Sequence, residues 1–250
     1  MKYKSIFISD VHLGSKGCKA DLLCSFLKEN TCDNLYLVGD IIDGWRLKRK
    51  FYWPQSHSDV VRKILKLAKH DTNVTYVVGN HDDSLRDLLP YSIDFGTIKL
   101  VNQCRYNAIN GKQYMVIHGD MFDGVLRTKL QWLYHLGDML YNILLSVNVV
   151  VSKVRNAFGL PHWSLSQYLK NKTKEAVSYV NNFEDLIAEY CAKQNADGVI
   201  CGHVHRAEIK DVNGIEYMND GDWVESCTAL VEHTDGRWEI VKWLEQKSSS

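Results

Sequence analysis

The sequence has no surplus of either charge: Lys plus Arg number 30, Asp plus Glu number 30, and the formal net charge is +0 with histidine neutral. No bulk field therefore draws the molecule toward nucleic acid or an anionic lipid surface, and any such contact has to be local. No CxxC pair occurs among the seven cysteines, Cys18, Cys24, Cys32, Cys104, Cys191, Cys201 and Cys227, and their number is odd. That pattern argues against a disulfide framework; several of these residues fall in apolar strand or helix positions, so they read as reduced, mostly buried thiols of a cytosolic chain. A bilayer span needs about 20 apolar residues, and no such run exists. The longest candidate, residues 139–151, is interrupted by Asn142, Ser146 and Asn148 and reads as a soluble or interfacial helix. The chain enters a strand-like run at Tyr3 with no apolar segment before it, so a signal peptide is not expected. Internal repeats and low-complexity stretches are also lacking.

At 250 residues there is enough chain for one large domain, or for a core with an insertion. The first half alternates strand-like and helix-like runs: strands at 3–9, 35–38 and 74–78, helices at about 20–29 and 58–69. Such a rhythm implies a largely parallel sheet with helical crossovers. Asn110-Gly111 and Asn213-Gly214 mark tight hairpins joining 99–109 to 112–117 and 208–212 to 215–219; two more strands, 228–232 and 237–243, flank Asp235-Gly236. Between His118 and Gly202 strand character vanishes. Apolar residues from Leu126 to Val154 repeat at helical spacing, and a second stripe of Trp132, Leu136, Met139 and Ile143 widens the face beyond one packing seam. Gly159-Leu160-Pro161 breaks this helix, and Ser164 or Ser166 is placed to cap a second one running to about Lys193. The expectation is an α/β core over 1–120 and 196–245, a helical insertion or cap over 121–195, and a disordered tail over 246–250. The wide stripe fits either helix packing within the cap or contact with acyl chains or a membrane.

Five short segments carry the chemistry: Ser9-Asp10-Val11-His12, Gly39-Asp40-Ile41-Ile42-Asp43, Gly79-Asn80-His81-Asp82, His118-Gly119-Asp120 and Gly202-His203-Val204-His205. Each follows an apolar run, so each sits on a loop at a strand end, where open α/β sheets collect ligands. Asp10 and His12 alternate, which aims both toward one side of an extended backbone and within reach of one cation. Asp40 offers two carboxylate oxygens, the usual bridge between metals about 3.5 to 4 Å apart. Asn80 adds an amide oxygen, and His118, His203 and His205 add imidazoles. Seven nitrogen and oxygen donors without a thiolate suit two divalent ions, manganese first, with zinc or iron as alternatives.

The ordered set Asp10-x-His12, Gly39-Asp40-x-x-Asp43, Gly79-Asn80-His81-Asp82, His118 and Gly202-His203-x-His205 resembles the calcineurin-like metallophosphoesterases. The resemblance spans most of the chain. It implies a sandwich of two mixed β-sheets flanked by helices, with Asp40 bridging the metals. Asp10, His12 and His205 would complete the protein ligands of one ion, and Asn80, His118 and His203 those of the other. It further implies in-line displacement at phosphorus, with His81 acting on the substrate as electrostatic stabiliser or proton donor and Asp43 orienting it. Asp43 also suits a second reading, as a cap of the following turn.

Over its whole length, including the helical insertion and Trp45, the chain is similar to the branch containing UDP-2,3-diacylglucosamine diphosphatases of lipid A synthesis. That similarity implies pyrophosphate cleavage to UMP and an acylated sugar 1-phosphate, a cytoplasmic site peripheral to the membrane, and a monomer or homodimer. Arg155, Lys170, Lys172 and Lys174 would meet phosphate, although the lysines equally suit a solvated helix face. Diphosphatases of that branch usually carry Arg where this chain has His81 and commonly Glu where it has Asp43, which keeps other nucleotide, nucleic-acid and phospholipid substrates in view. Trp45-Arg46-Leu47-Lys48-Arg49-Lys50-Phe51-Tyr52-Trp53 mixes bases with aromatics, as single-stranded nucleic-acid surfaces do, or is a loop whose aromatics cover the core. Here no donor of the resembled site is missing, which sets a metallophosphoesterase apart from a non-catalytic scaffold. Asp220-Gly221-Asp222-Trp223 reads as a turn beside the site.

Overall fold

A computed structural model describes residues 1–70, 72–91, 98–124 and 165–248. The elements are β1 (Lys2–Ile8), α1 (Ala20–Glu29), β2 (Thr31–Val38), α2 (Gly44–Arg49), α3 (Gln55–Lys69), β3 (Asn73–Val77), a 3-10 helix (Asp83–Tyr91), β4 (Ile98–Val101), β5 (Gln103–Asn107), β6 (Gln113–Ile117), a 3-10 turn (Asp120–Phe122), α4 (Leu165–Lys193), β7 (Gly198–Cys201), β8 (Glu208–Val212), β9 (Ile215–Asn219), β10 (Thr228–Glu232), β11 (Trp238–Lys242) and α5 (Trp243–Ser248). Met1–Asp120 with Asp185–Ser250 forms one compact unit, and Met121–Glu184 a second. The first helix expected of the insertion, and Arg155 with it, lies outside the described residues. No described helix is long and apolar enough to cross a membrane.

Two mixed sheets make up the first unit. One has the order β11-β10-β1-β2-β3-β4, the other β5-β6-β7-β9-β8. Parallel pairs run through β1, β2, β3 and β4 in the first and through β6, β7 and β9 in the second, while β10, β11, β5 and β8 add antiparallel edges. Period-two patterning decides what each face buries. Ile6 and Ile8 of β1, Leu35 and Leu37 of β2, and Val74 and Tyr76 of β3 enter one apolar cluster with Leu23, Phe26 and Leu27 of α1 and Val60 and Ile64 of α3. The alternate residues Phe7, Val38 and Val77 turn to the other face and join Tyr106, Tyr114, Val116, Ile200 and Met218 of the second sheet. Phe7 stacks on Tyr36 at 4.7 Å and meets Tyr106 edge-on at 5.2 Å.

Three expectations change. The strand expected over 99–109 is two strands in different sheets: Asn102 alone separates β4, which pairs with β3, from β5, which pairs with β6. An unbroken strand pattern cannot announce this, because both pieces keep alternation and only their partners differ. The basic-aromatic segment after Asp43 is not all loop: 44–49 is helical, capped by the Asp43 carboxylate accepting from the Arg46 N–H at 3.0 Å. The tail expected to be disordered from 246 is helical to Ser248. Trp243 explains it, packing edge-on to Phe26 at 5.4 Å and donating from Nε1 to Ser25, while Lys247 reaches Glu29.

Candidate metal centre

All five chemical segments lie at carboxyl ends of strands, after β1, β2 and β3 in one sheet and after β6 and β7 in the other. Hydrogen bonding continues past the strand ends. Asp10 N–H donates to Gly39 O, His12 N–H to Asp40 O, Leu13 N–H to Ile41 O and Asp43 N–H to Leu13 O, at 2.8 to 3.1 Å, so the two loops run side by side and present Asp10 and His12 against Asp40 and Asp43. The backbone bends sharply to do this. Asp10, His12, Asp40, His203 and His205 all have positive φ, between 50° and 70°. Non-glycine residues hold such angles at a cost of about 1–3 kcal/mol each, and they cluster where geometry serves a site.

Around these turns the side chains converge. Asp10, His12 and His205 offer atoms within 4.8 Å of one another, as do Asp10, Asp40 and His118, and also His12, Asp43 and His81. Asn80 joins through Oδ1, 3.2 Å from His118 Nε2, and the His203 ring lies 5.1 Å from that of His118. All seven expected donors thus fall in one cluster.

Its chemistry suits cations. Asp10 is fully buried, and its Oδ1 has no hydrogen-bond partner although His205 Nε2 is 3.0 Å away and His12 Nε2 3.7 Å away. His118 makes the same point more sharply. Its Nδ1 lies 2.9 Å from the Val38 carbonyl and must donate there, which in the neutral ring leaves a lone pair on Nε2 facing Asp40 Oδ2 at 3.4 Å and Asn80 Oδ1 at 3.2 Å. Three electron-rich atoms so arranged need a proton or a metal ion between them, and a backbone carbonyl behind a ligating imidazole is the usual support for such a ligand. Charges respond accordingly. Burial pushes the His118 imidazole down, but the Asp40 carboxylate more than reverses this, to about 10. Burial likewise opposes the charged forms of Asp10, Asp40 and His205. The imidazoles of His12 and His205 nevertheless hold Asp10 well below the usual carboxylate range, His118 lowers Asp40, and Asp10 raises His205. The residues present therefore fit divalent metals.

His81 stands beside the donors with its Nε2 3.9 Å from Asp40 Oδ2. Its N–H donates to Asp40 Oδ1 at 2.8 Å, and its Nδ1 is 3.0 Å from Asp43 Oδ1. Asp43 caps α2 with the same oxygen, so the two readings of that residue hold together. Trp45 lies with its ring 4.3 Å from His81, and Arg46 Nε is 3.3 Å from Asp43 Oδ2. Lys170 and Lys174 fall on α4, and their side chains lie outside the described residues.

Two supports escaped the sequence reading. Asp82 closes the third loop by accepting from Gly79 N–H at 2.6 Å, Ile41 N–H at 3.0 Å and the Tyr76 hydroxyl at 2.5 Å. Behind Asp10, the Ser9 hydroxyl touches both Asp10 Oδ2 at 2.6 Å and Asp220 Oδ1 at 2.5 Å, while the Trp223 N–H donates to the Asp10 carbonyl. Burial raises Asp220 well above the carboxylate range. Only the position of Asp82 in its motif, and of Asp220 after the last histidine segment, could have signalled either.

A two-sheet α/β sandwich with nitrogen and oxygen donors at its strand ends defines a metal-dependent hydrolase of phosphoesters. The model of the calcineurin-like phosphoesterase family matches residues 3–207, and the chain belongs to that family. It is similar to the UDP-2,3-diacylglucosamine hydrolase of Neisseria gonorrhoeae, 27% identical over 91% of this chain and 92% of the relative. A protein of the same name from Photorhabdus laumondii is 24% identical over 83% and 84%. Among solved structures, an archaeal phosphodiesterase overlays with a TM-score of 0.48 at 11% identity, covering 95% of this chain and 98% of the other. This protein is a metallophosphoesterase.

Proposed function

We propose that the chain hydrolyses the pyrophosphate of UDP-2,3-diacylglucosamine, releasing UMP and the acylated sugar 1-phosphate, with manganese as its metal. The near full-length similarity to hydrolases of that name carries the substrate. The convergence of donors from both sheets supports the chemistry. Asp10, His12 and His205 would hold one ion and Asn80, His118 and His203 the other, with Asp40 shared between them. When bound, such ions polarise the phosphoryl group and neutralise its developing charge.

The chain's own residues do the rest. Asp43 accepts the Nδ1–H of His81 and so turns Nε2 toward the cluster; in the imidazolium form the Nε2–H passes its proton to the leaving phosphate oxygen, leaving the neutral ring with Nδ1–H still on Asp43. Trp45 and Arg46, beside His81 and Asp43, border the substrate; Arg155, Lys170 and Lys174 meet its phosphates from the insertion. The helical insertion over 121–195 serves as a cap that receives acyl chains at the inner face of the membrane, a contact that co-sedimentation with liposomes checks. A second reading, a phosphodiesterase acting on another nucleotide, nucleic-acid or phospholipid, draws support from Arg46, Lys48, Arg49 and Lys50, all exposed next to Phe51 at 76% exposure.

The test is direct assay of the manganese-loaded protein with UDP-2,3-diacylglucosamine, short RNA, a cyclic nucleotide and a CDP-linked lipid. UMP release from the first alone is expected. Turnover of RNA or the CDP-lipid with none on the first would transfer the assignment to the second reading.

A further inference from the structure

We propose that Trp45 is a positioning residue for His81: its indole fixes the plane of the imidazole so that Nε2 stays turned toward the donor cluster. The inference rests on the proton-donor reading of His81 given above. Three consecutive residues at the start of α2 each touch His81. Asp43 Oδ1 lies 3.0 Å from its Nδ1, the Gly44 N–H donates to its carbonyl at 2.9 Å, and Trp45 lies against the ring with centroids 4.3 Å apart and planes tilted by 31°. A Cβ at Gly44 would stand 2.8 Å from the His81 carbonyl oxygen, so the close approach of this turn depends on glycine there. From the other side His12 meets the ring edge-on, at 4.6 Å and 86°.

These contacts divide the work. The backbone of His81 is pinned at both ends, by its own N–H to Asp40 and by its carbonyl to Gly44. Asp43 then fixes one ring atom. A single hydrogen bond sets a point and a direction but leaves the ring free to swing about that axis, because the torsion joining a ring to its side chain is broad. Only a flat neighbour sets the plane. Trp45 is that neighbour: its indole lies against the imidazole with the two planes 31° apart, close enough that a swing of the ring about the hydrogen bond would run into it. The indole is itself 46% exposed and belongs to neither apolar cluster of the described residues, which makes its place beside His81 the feature to be explained. A proton donor misdirected by a fraction of its bond length loses rate steeply.

The experiment compares kcat and KM over a series of aryl phosphodiesters whose leaving groups run from p-nitrophenol to phenol, for the manganese-loaded protein and its Trp45→Ala, Trp45→Leu, Trp45→Phe and His81→Ala forms. Metal content is measured in each. His81→Ala should lose more rate as the leaving group becomes poorer, because such groups depend most on the donated proton. Trp45→Ala and Trp45→Leu should show the same trend in milder form, about tenfold in kcat for phenol with metal content held, and Trp45→Phe should restore the trend of the unaltered chain. Leu keeps apolar bulk without a ring face, so it separates stacking from filling. Equal losses across the series, a change confined to KM, or failure of Phe to restore the trend overturns the role of Trp45 and leaves that of His81 standing. If His81→Ala itself follows the leaving-group trend of the unaltered chain, the proton-donor reading falls and this inference with it.

Discussion

The Nδ1 of His81 lies 3.0 Å from Asp43, a carboxylate outside the donor set, while its Nε2 faces that set. Removing it should therefore spare the metals and damage the reaction. His81→Ala is expected to keep its metal content, measured by elemental analysis, and to lose turnover by about 100-fold or more, the scale of a lost acid or electrostatic group. Loss of metal in that variant would make the residue structural instead. Asp43 shows how one side chain serves two ends: a single oxygen caps α2 and faces His81. The sequence presents those roles as alternatives because spacing along the chain cannot show that both partners lie on the same side of one carboxylate.

At the scale of elements, loop backbones govern how the donors meet. Gly39 and Gly111 share a φ of +84°, but a Cβ at Gly39 would strike the His118 ring, while at Gly111 nothing lies within 4 Å. The pair separates strain from collision. Gly111→Ala should cost about 1 kcal/mol in chemical denaturation, from the left-handed backbone alone. Gly39→Ala should cost clearly more and also lower metal stoichiometry, since His118 must move; equal costs would show that the ring gives way freely. Much at this scale is legible in the sequence. The hairpins at Asn213-Gly214 and Asp235-Gly236 and the helix over 20–29 are written in turn chemistry and apolar spacing, and the structure returns them with shifts of at most a residue. What stays hidden depends on partners: α2 is a short helix with no buried residue, set up by a cap and by contacts from the third loop, none of which leaves a local pattern.

For the whole molecule, the buried cluster makes stability depend on pH and metal together. Without metal, His118 titrates at about 10 in the folded chain against 6.5 when unfolded. Its raised value stabilises the fold fully below pH 6.5, and that contribution is lost as pH rises through 10. Asp10, held low, contributes in the opposite sense, above pH 3.8 and lost as pH falls through its depressed value. Metal takes the place of the proton on His118, so the gap in Tm between loaded and chelated protein should widen from pH 6.5 to 10 in thermal scans. A gap that narrows over that range would mean that His118 is not a ligand. The seven donors were legible as residue types after apolar runs; their supports, Asp82, Asp220 and Ser9, were not, because a buried acid that braces a loop looks like any polar residue until its partners are known.

Asn102 joins the sheets as the sole residue between β4 and β5. The turn at Asn110-Gly111 sets the register of β5 on β6, whose end delivers His118, while β4 lies in register with β3, whose end delivers Asn80. The joint thus works as a ruler. A slip of one residue in the pairing of β6, about 3.3 Å, would turn its faces over and carry the imidazole of His118 out of reach of Asn80 and Asp40. One residue, far along the chain from most of the donors, thus spans the step between the sheet that carries Asp10, Asp40 and Asn80 and the sheet that carries His118 and His203.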